Sequence, residues 1–86
     1  MHGPGSPLAR AWGRNMRQHR LETGYSQTEL AHRLGISQAS IGRYEQGLQV
    51  PAAHRRFAIA AVLNADVRAL FPSMSADTLA DYPETR

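Results

Sequence analysis

Residues 26–47 read SQTELAHRLGISQASIGRYEQG and carry the signals that decide the fold. Ser26, with Glu29 three residues later, forms a capping box, a pattern that starts helices by satisfying free backbone N–H groups. The apolar residues that follow predict a helix over 27–34. Gly35 can adopt the positive φ that ends a helix, so we expect the first helix of the stretch to stop there.

A second helix follows after only three residues. Ser37 is a favourable N-cap residue, and Gly47 can end the helix in the left-handed conformation. Ala31 lies where the two helices are expected to cross, and Ile36 and Ile41 fill the angle between them. Two short helices joined by so short a glycine-containing turn are the helix-turn-helix pattern.

The flanking sequence predicts three more helices. Ser6 and Pro7 start a first helix over 7–22. Pro51 is expected to open a fourth helix and Asp66 to cap a short fifth. The fourth helix is predicted to face inward with Ala53, Phe57, Ala60 and Leu63, and Asn64 to end it in the left-handed conformation. Strand patterns are absent from the sequence, so we predict an all-α, compact five-helix bundle with the helix-turn-helix at helices 2 and 3.

The domain organisation follows from these limits. Residues 7–71 are predicted to form the bundle. Residues 1–6, MHGPGS, are predicted to form a flexible N-terminal arm, and a remnant of cloning is the alternative. Residues 72–86 are acidic and contain a second proline, which predicts a C-terminal tail that is mobile or binds a partner.

Composition limits the function classes. The chain has 86 residues, 42% of them apolar, which suits one small domain with a compact core. It has no cysteine, so we expect neither a disulfide framework nor a thiolate metal site. The sequence contains no apolar run long enough for a membrane span and no signal peptide pattern, so we expect a cytoplasmic protein.

Charge is concentrated in the first two-thirds of the chain. Residues 1–56 contain eight arginines and three acidic residues, whereas residues 57–86 contain two arginines and four acidic residues. The chain contains no lysine, and arginine forks fit phosphate oxygens and guanine edges. The pattern indicates an anionic partner, although a genome biased toward arginine codons would give the same composition.

Helical geometry divides the second helix of the motif into two faces. At 100° per residue, one polar row occupies an arc of about 140°, opposite Ile41, Tyr44 and Glu45. This row consists of Gln38, Ala39, Gly42, Arg43 and Gln46. It is either an ordinary solvated face or a surface that binds something.

The chain resembles the Cro/repressor-type (XRE-type, lambda-repressor-like) DNA-binding domains over roughly residues 12–71. The segment PAAHRRFAIAAVLNADVRALF resembles their fourth and fifth helices without a gap. The residues that match the family pattern are Arg20, Gly24, Ser26, Gln27, Leu30, Ala31, Gly35, Ile36, Ser37, Ile41, Tyr44, Glu45, Gly47 and Pro51. The departures from it are His19, Tyr25, Arg55, Arg56 and Asn64, and none of them removes a residue that the fold requires.

The resemblance implies that the second helix of the motif lies in the major groove of double-stranded DNA. Gln38 can then pair with adenine, Ala39 can contact a thymine methyl group, and Arg43 can fork onto guanine or take a phosphate. Arg20 and Glu45 match the family's structural ion pair, which ties helix 1 to helix 3. A DNA contact by Arg20 is the competing interpretation.

Contacts to the DNA backbone are expected from a second set of residues. Gln27 resembles the family glutamine that clamps a phosphate; the alternative is that Ser26 caps the helix and Gln27 is idle. Arg14 and Arg17 can flank the groove or remain solvated. The further candidates for backbone contact are Ser37, Ser40, Gln49, His54 and Arg55.

These patterns predict a sequence-specific transcriptional regulator, a repressor that binds a pseudo-palindromic operator as a homodimer. Val67, Leu70 and Phe71 are the predicted dimer surface. The alternative is an antitoxin or bridging module that uses the same fold and binds a protein partner through its tail. We expect no catalytic residues, no cofactor and no metal, because the four histidines lack ligand spacing and no nucleophile–base arrangement occurs.

Overall fold

A computed structural model describes residues 3–73 of the chain, and this part contains five α-helices and no strand. The helices are α1 (Pro7–Thr23), α2 (Gln27–Leu34), α3 (Gln38–Gln46), α4 (Ala53–Val62) and α5 (Val67–Leu70). The predicted all-α five-helix bundle is therefore confirmed. The predicted tail beyond residue 73 and the first two residues of the predicted arm lie outside the described residues.

Local capping chemistry starts four of these helices where the sequence predicts. The Ser6 hydroxyl accepts a hydrogen bond from the Ala9 N–H at 3.0 Å, and this bond begins α1. The other three capping residues are Ser26 for α2, Ser37 for α3 and Asp66 for α5. Each supplies an oxygen to an N–H group that has no partner within the helix. Helix α1 ends one residue later than predicted, at Thr23.

The start of α4 differs from the prediction. The helix begins at Ala53 rather than Pro51, and its N-cap residue, Ala52, has no side chain that can cap it. Pro51 is instead a buried loop residue, and its carbonyl accepts a hydrogen bond from Nη1 of Arg56 at 2.5 Å. Pro51 therefore belongs to the loop before α4 and does not mark the first residue of that helix.

The inward face of α4 is also shifted. Ala60 and Leu63 are buried as predicted, whereas Ala53 and Phe57 are only half-buried. Ile59 is fully buried and was not among the predicted inward residues. Asn64 has φ of 53°, so its predicted left-handed conformation is confirmed.

One hydrophobic core joins all five helices. Helix α1 contacts α3 and α5, α2 contacts α3 and α4, and α4 contacts α5. The largest fully buried side chains are Met16, Leu30, Ile41, Ile59, Leu70 and Phe71. None of the helices within residues 3–73 is both long enough and apolar enough to span a membrane.

A glycine sets the distance between α1 and α3. A Cβ atom on Gly13 would lie 2.3 Å from the backbone oxygen of Glu45 and 2.6 Å from that of Tyr44. Real Cβ atoms do not approach backbone atoms so closely, so only glycine permits this packing. The absence of a side chain at Gly13 therefore lets the two helices meet backbone to backbone.

The N-terminal segment that precedes α1 contacts the end of α3. The N–H group of Gly5 donates to the carbonyl of Gly47 at 2.7 Å, and the Arg10 guanidinium donates to the carbonyl of Gly5. Residues 3–6, predicted as part of a flexible arm, therefore have a backbone contact with the helix-turn-helix.

The C-terminal end of the bundle is fixed to α1. The indole N–H of Trp12 donates to the carbonyl of Pro72 at 2.7 Å, and the Asn15 amide donates to the carbonyl of Leu70 at 3.0 Å. The rings of Trp12 and Phe71 pack edge to face, with their centroids 5.4 Å apart. Helix α5 thereby closes the open end of the core.

This packing corrects the predicted dimer surface. Val67, Leu70 and Phe71 are 2%, 0% and 1% exposed, so their side chains lie in the core of the monomer. Apolar periodicity in a helix of four residues marks a buried face, but it does not say whether the same chain or a second copy covers that face. Here the same chain covers it.

Candidate nucleic-acid interface

The polar row of α3 lies on the outside of the bundle. Gln38, Ala39, Arg43 and Gln46 are exposed and Gly42 is half-buried. The opposite face is fixed in the core through Ile41 and Tyr44, which are buried. The helix therefore presents one continuous outer face, and its orientation is set by the face that packs inside.

A buried ion pair joins α1 to the inner face of α3. Nε of Arg20 lies 2.6 Å from Oε2 of Glu45, and Nη2 lies 3.1 Å from Oε1. The two side chains are 8% and 3% exposed. Nη1 of Arg20 also donates to the carbonyl of Tyr25 at 2.9 Å. This two-pronged geometry fixes the carboxylate as well as the guanidinium.

Gln27 connects the buried pair to the outer face. Its Nε2 donates to Oε1 of Glu45 at 3.0 Å, and its Oε1 accepts from Nε2 of Gln38 at 2.6 Å. A continuous series of hydrogen bonds thus runs from Arg20 through Glu45 and Gln27 to Gln38. Because a glutamine amide has a distinct donor and acceptor end, this series also fixes which way each amide points.

Arg43, another exposed candidate for a base contact, is also positioned by hydrogen bonds to its neighbours. Its Nε donates to Oε1 of Gln49 at 3.0 Å, and its Nη2 lies 3.4 Å from Oγ of Ser40. The Ser40 and Ser37 hydroxyls lie 3.0 Å apart and share a hydrogen bond. Three predicted backbone contacts, Ser37, Ser40 and Gln49, are therefore engaged with neighbours on the same surface.

The remaining candidates lie at the start of α4. His54 is exposed and Arg55 is half-buried, both in the first turn of that helix. Helix α4 is the one described helix with no side-chain hydrogen bond at its N-cap. Its first N–H groups are therefore not capped by the residue that precedes the helix.

The carboxyl group of Glu29, at the start of α2, has a lowered pKa. The backbone N–H of Ser26 donates to Oε1 of Glu29 at 2.8 Å, and the Ser26 hydroxyl interacts with the same carboxyl. These bonds hold the pKa of Glu29 below its ordinary value of 4.5, and Arg33 on the next turn acts in the same direction. The carboxylate is thus ionised at the start of α2, where a negative charge is favourable.

Metal-ligating side chains do not cluster in residues 3–73: no group of three or more histidines, aspartates and glutamates there could hold a metal ion. The arrangement instead offers amides, hydroxyls and a guanidinium on one outer face. These groups form hydrogen bonds with base edges and phosphates.

Sequence reasoning missed two connections in this surface. The sequence predicts either a phosphate contact or an idle side chain for Gln27, and not its bond to Glu45. It predicts a phosphate contact for Gln49, and not its bond to Arg43. No sequence pattern relates residues 18 and 6 positions apart across a turn. The position of Gln27 in the first turn of α2 placed it near α3 but did not give the direction of its amide.

Comparisons with known proteins agree with this geometry. A family model described as helix-turn-helix matches residues 16–70. The chain is 39% identical over 64 residues to the uncharacterised HTH-type transcriptional regulator YazB of Bacillus subtilis, and the match covers 74% of this chain and 93% of YazB.

Two solved structures are similar over most of the bundle. The restriction-modification controller protein C.AhdI from Aeromonas hydrophila is 28% identical with a TM-score of 0.68, covering 74% of this chain and 91% of that one. SinR of Bacillus subtilis, the master regulator for biofilm formation, solved in complex with DNA, is 33% identical with a TM-score of 0.65, covering 69% and 95%. The sequence match and the shared fold show that this chain belongs to the XRE-type helix-turn-helix family of DNA-binding transcriptional regulators.

Proposed function

We propose that the protein is a sequence-specific repressor that places α3 in the major groove of a pseudo-palindromic operator and binds it as a homodimer. The observation that carries the proposal is the hydrogen bond between Gln27 and Gln38, 2.6 Å long on the exposed face. This bond fixes the position of the Gln38 side chain before DNA binds. Gln27 is in turn fixed by its bond to Glu45, the partner of Arg20 in the buried ion pair.

Gln38 is the proposed reader of adenine. Adenine N6 and N7 require one acceptor and one donor from the same amide. The bond to Gln27 uses one N–H of the Gln38 amide and leaves the other N–H and the oxygen available. Ala39, exposed beside it, offers its methyl group to thymine, and Arg43 offers its guanidinium to guanine.

Phosphate contacts are proposed for the residues that border this face. Gln27 retains one amide N–H for a phosphate after its bond to Glu45. His54 and Arg55 lie at the uncapped start of α4, where N–H groups and side chains can receive a phosphate together. The remaining proposed phosphate contacts are Ser37 and Ser40.

The dimer is proposed on the symmetry of helix-turn-helix recognition. Two copies of α3 that read adjacent major grooves require half-sites about 10–10.5 bp apart. Because Val67, Leu70 and Phe71 are buried in the monomer, other residues must form the contact between copies. A regulator of this kind acts on the nucleoid in the cytoplasm, and the proposed function requires no enzyme activity or cofactor.

The test is selection of binding sites from a random DNA pool by the full chain, followed by footprinting and titration with salt. We expect one enriched site with two-fold symmetry, and affinity that falls steeply with salt because arginine–phosphate contacts release counterions. Gln38→Ala combined with Arg43→Ala should abolish the enrichment. Gln18→Ala, which removes an exposed amide bonded to Glu22 on α1, should leave the enrichment intact and is the matched control.

Three results would contradict the proposal. The first is a footprint without two-fold symmetry, and the second is binding that is unchanged in the double variant. The third is the absence of any enriched site together with a stable stoichiometric protein partner, which would favour the antitoxin or bridging function.

A further inference from the structure

Arg43 is held along one edge of its guanidinium. Gln49 accepts from Nε at 3.0 Å, and Ser40 lies 3.4 Å from Nη2 on the same edge. Ser40 is itself bonded to Ser37, the N-cap residue of α3. An exposed arginine on a helix normally samples many rotamers. In Arg43, by contrast, each of the two nitrogens along one edge of the guanidinium has an acceptor.

The segment that carries Gln49 is anchored before and after it. Gly47 is in the left-handed conformation, with φ of 75°, and its carbonyl accepts from the N–H of Gly5 at 2.7 Å. The N–H of Leu48 donates back to the carbonyl of Arg43 at 2.9 Å, which closes the end of α3. Pro51, two residues after Gln49, is buried. The side chain of Gln49 therefore starts from a fixed backbone.

The contact leaves a defined part of the guanidinium free. Arginine has five N–H groups in a planar fork, and the held edge occupies those on Nε and on one side of Nη2. The outer end, formed by Nη1 and the second N–H of Nη2, points away from the two acceptors. Two parallel N–H groups of this kind match O6 and N7 of guanine.

We propose that Gln49 is a positioning residue that presents Arg43 end-on to guanine and thereby sets the base preference at one position of each half-site. The inference rests on the proposed function, because it requires that α3 reads the major groove. It replaces the earlier assignment of Gln49 to a phosphate. The gain comes from preorganisation, since an arginine that is already ordered loses less rotamer freedom on binding.

The two roles of Gln49 use opposite ends of its amide. The positioning role needs the oxygen, which accepts from Arg43, whereas a phosphate has only acceptors and needs the amide N–H groups. Gln49→Glu keeps the acceptor, removes the donor and adds a charge that repels a phosphate. Gln49→Ala removes both ends. The pair of variants therefore separates the two roles.

The experiment uses the full chain and the site selected from the random pool. Kd is measured for that site and for the same site with 7-deazaguanine, which lacks N7, at the guanine whose preference Arg43→Ala removes. The wild-type chain should lose about tenfold in affinity on this replacement, as expected for one hydrogen bond of a bidentate pair. The ratio of the two Kd values, modified site over unmodified site, is measured in the same way for Gln49→Ala, Gln49→Glu and the control Gln18→Ala.

We expect the ratio to fall toward 1 in Gln49→Ala, to stay near the wild-type value in Gln49→Glu, and to be unchanged in Gln18→Ala. Circular dichroism checks that all variants are folded, which is expected because Gln49 is exposed. A wild-type ratio in Gln49→Ala, with affinity lowered equally for both DNAs, would overturn the inference in favour of a phosphate contact.

The same experiment distinguishes this inference from the proposed function. If the wild-type chain enriches a site that contains no guanine dependent on Arg43, the inference is wrong and the proposed function stands. If the wild-type chain enriches no site at all, both are wrong.

Discussion

The backbone oxygen of Glu45 lies 2.3 Å from the position that a Cβ atom on Gly13 would occupy. Helices α1 and α3 therefore meet backbone to backbone at this point. The same residue, Glu45, directs its carboxylate to Arg20 and Gln27. Its main chain thus sets how close α3 lies to α1, and its side chain sets the positions of the polar groups that lead to the outer face of α3.

Gly13→Ala should destabilise the domain, because the added methyl group meets backbone atoms that cannot rotate away. We expect a loss of about 1–3 kcal/mol, as for an overpacked core. Gly42→Ala is the matched control, since its Cβ would meet only the Gln27 side chain at 3.9 Å. That variant should gain about 0.5–1 kcal/mol from helix propensity. Urea denaturation followed by circular dichroism measures both; equal effects would contradict the close approach.

Removing one partner of the buried ion pair should cost more than removing both. Arg20→Met leaves the Glu45 carboxylate buried with one remaining side-chain donor, Gln27, and should lose about 3–5 kcal/mol. The double variant Arg20→Met, Glu45→Leu should recover at least about 1 kcal/mol of that loss. A double-mutant cycle in urea measures the difference. Additive losses would mean that the two side chains contribute independently.

Gln27→Glu should place a second carboxylate within hydrogen-bond distance of Glu45. The like charges raise the pKa of one carboxyl group of the variant in the folded state. The variant therefore loses stability as the pH rises from the unfolded-state pKa to the raised one, and the loss is complete above the raised pKa. We expect it to be about 1–3 kcal/mol less stable than Gln27→Ala at pH 7 and to approach Gln27→Ala as the pH falls. Urea denaturation at pH 7 and pH 5 tests this; a pH-independent difference would show that the two groups are not adjacent.

Stability should fall in acid partly through Glu29. Its pKa is lower in the folded state than its ordinary value of 4.5, so its contribution is present above that value and is lost as the pH falls through the folded-state pKa. Glu29→Gln keeps an acceptor for Ser26 but cannot titrate. Its melting temperature should therefore depend less on pH below about 4.5 than that of the wild type. Parallel pH dependences would exclude the effect.

The sequence predicted those features that depend on neighbours within one turn. The N-caps at Ser6, Ser26 and Ser37 and the left-handed Gly35 were found because capping and positive φ are local properties. The outer row of α3 followed from helical periodicity alone.

The features that the sequence did not predict depend on tertiary distance. Gly13 carries no local sign that a carbonyl from residue 45 lies against it. No local pattern indicates that Pro51 lies in the loop before α4, or that Arg56 is buried over the ring of Trp12 with its guanidinium 5.0 Å from the ring centroid. The predicted dimer surface was wrong because apolar spacing in α5 does not distinguish a surface for a partner from a surface for α1.

The bonds from Trp12 and Asn15 to the carbonyls of Pro72 and Leu70 have a consequence for synthesis. Helix α1 emerges from the ribosome before the other four helices, yet its core side depends on residues that follow the last of them. While residues 70–72 are still inside the exit tunnel, Trp12 lacks both its edge-to-face partner and its hydrogen-bond acceptor. The nascent chain therefore exposes an apolar face of α1 until residues 70–72 emerge, and the bundle completes its fold only then.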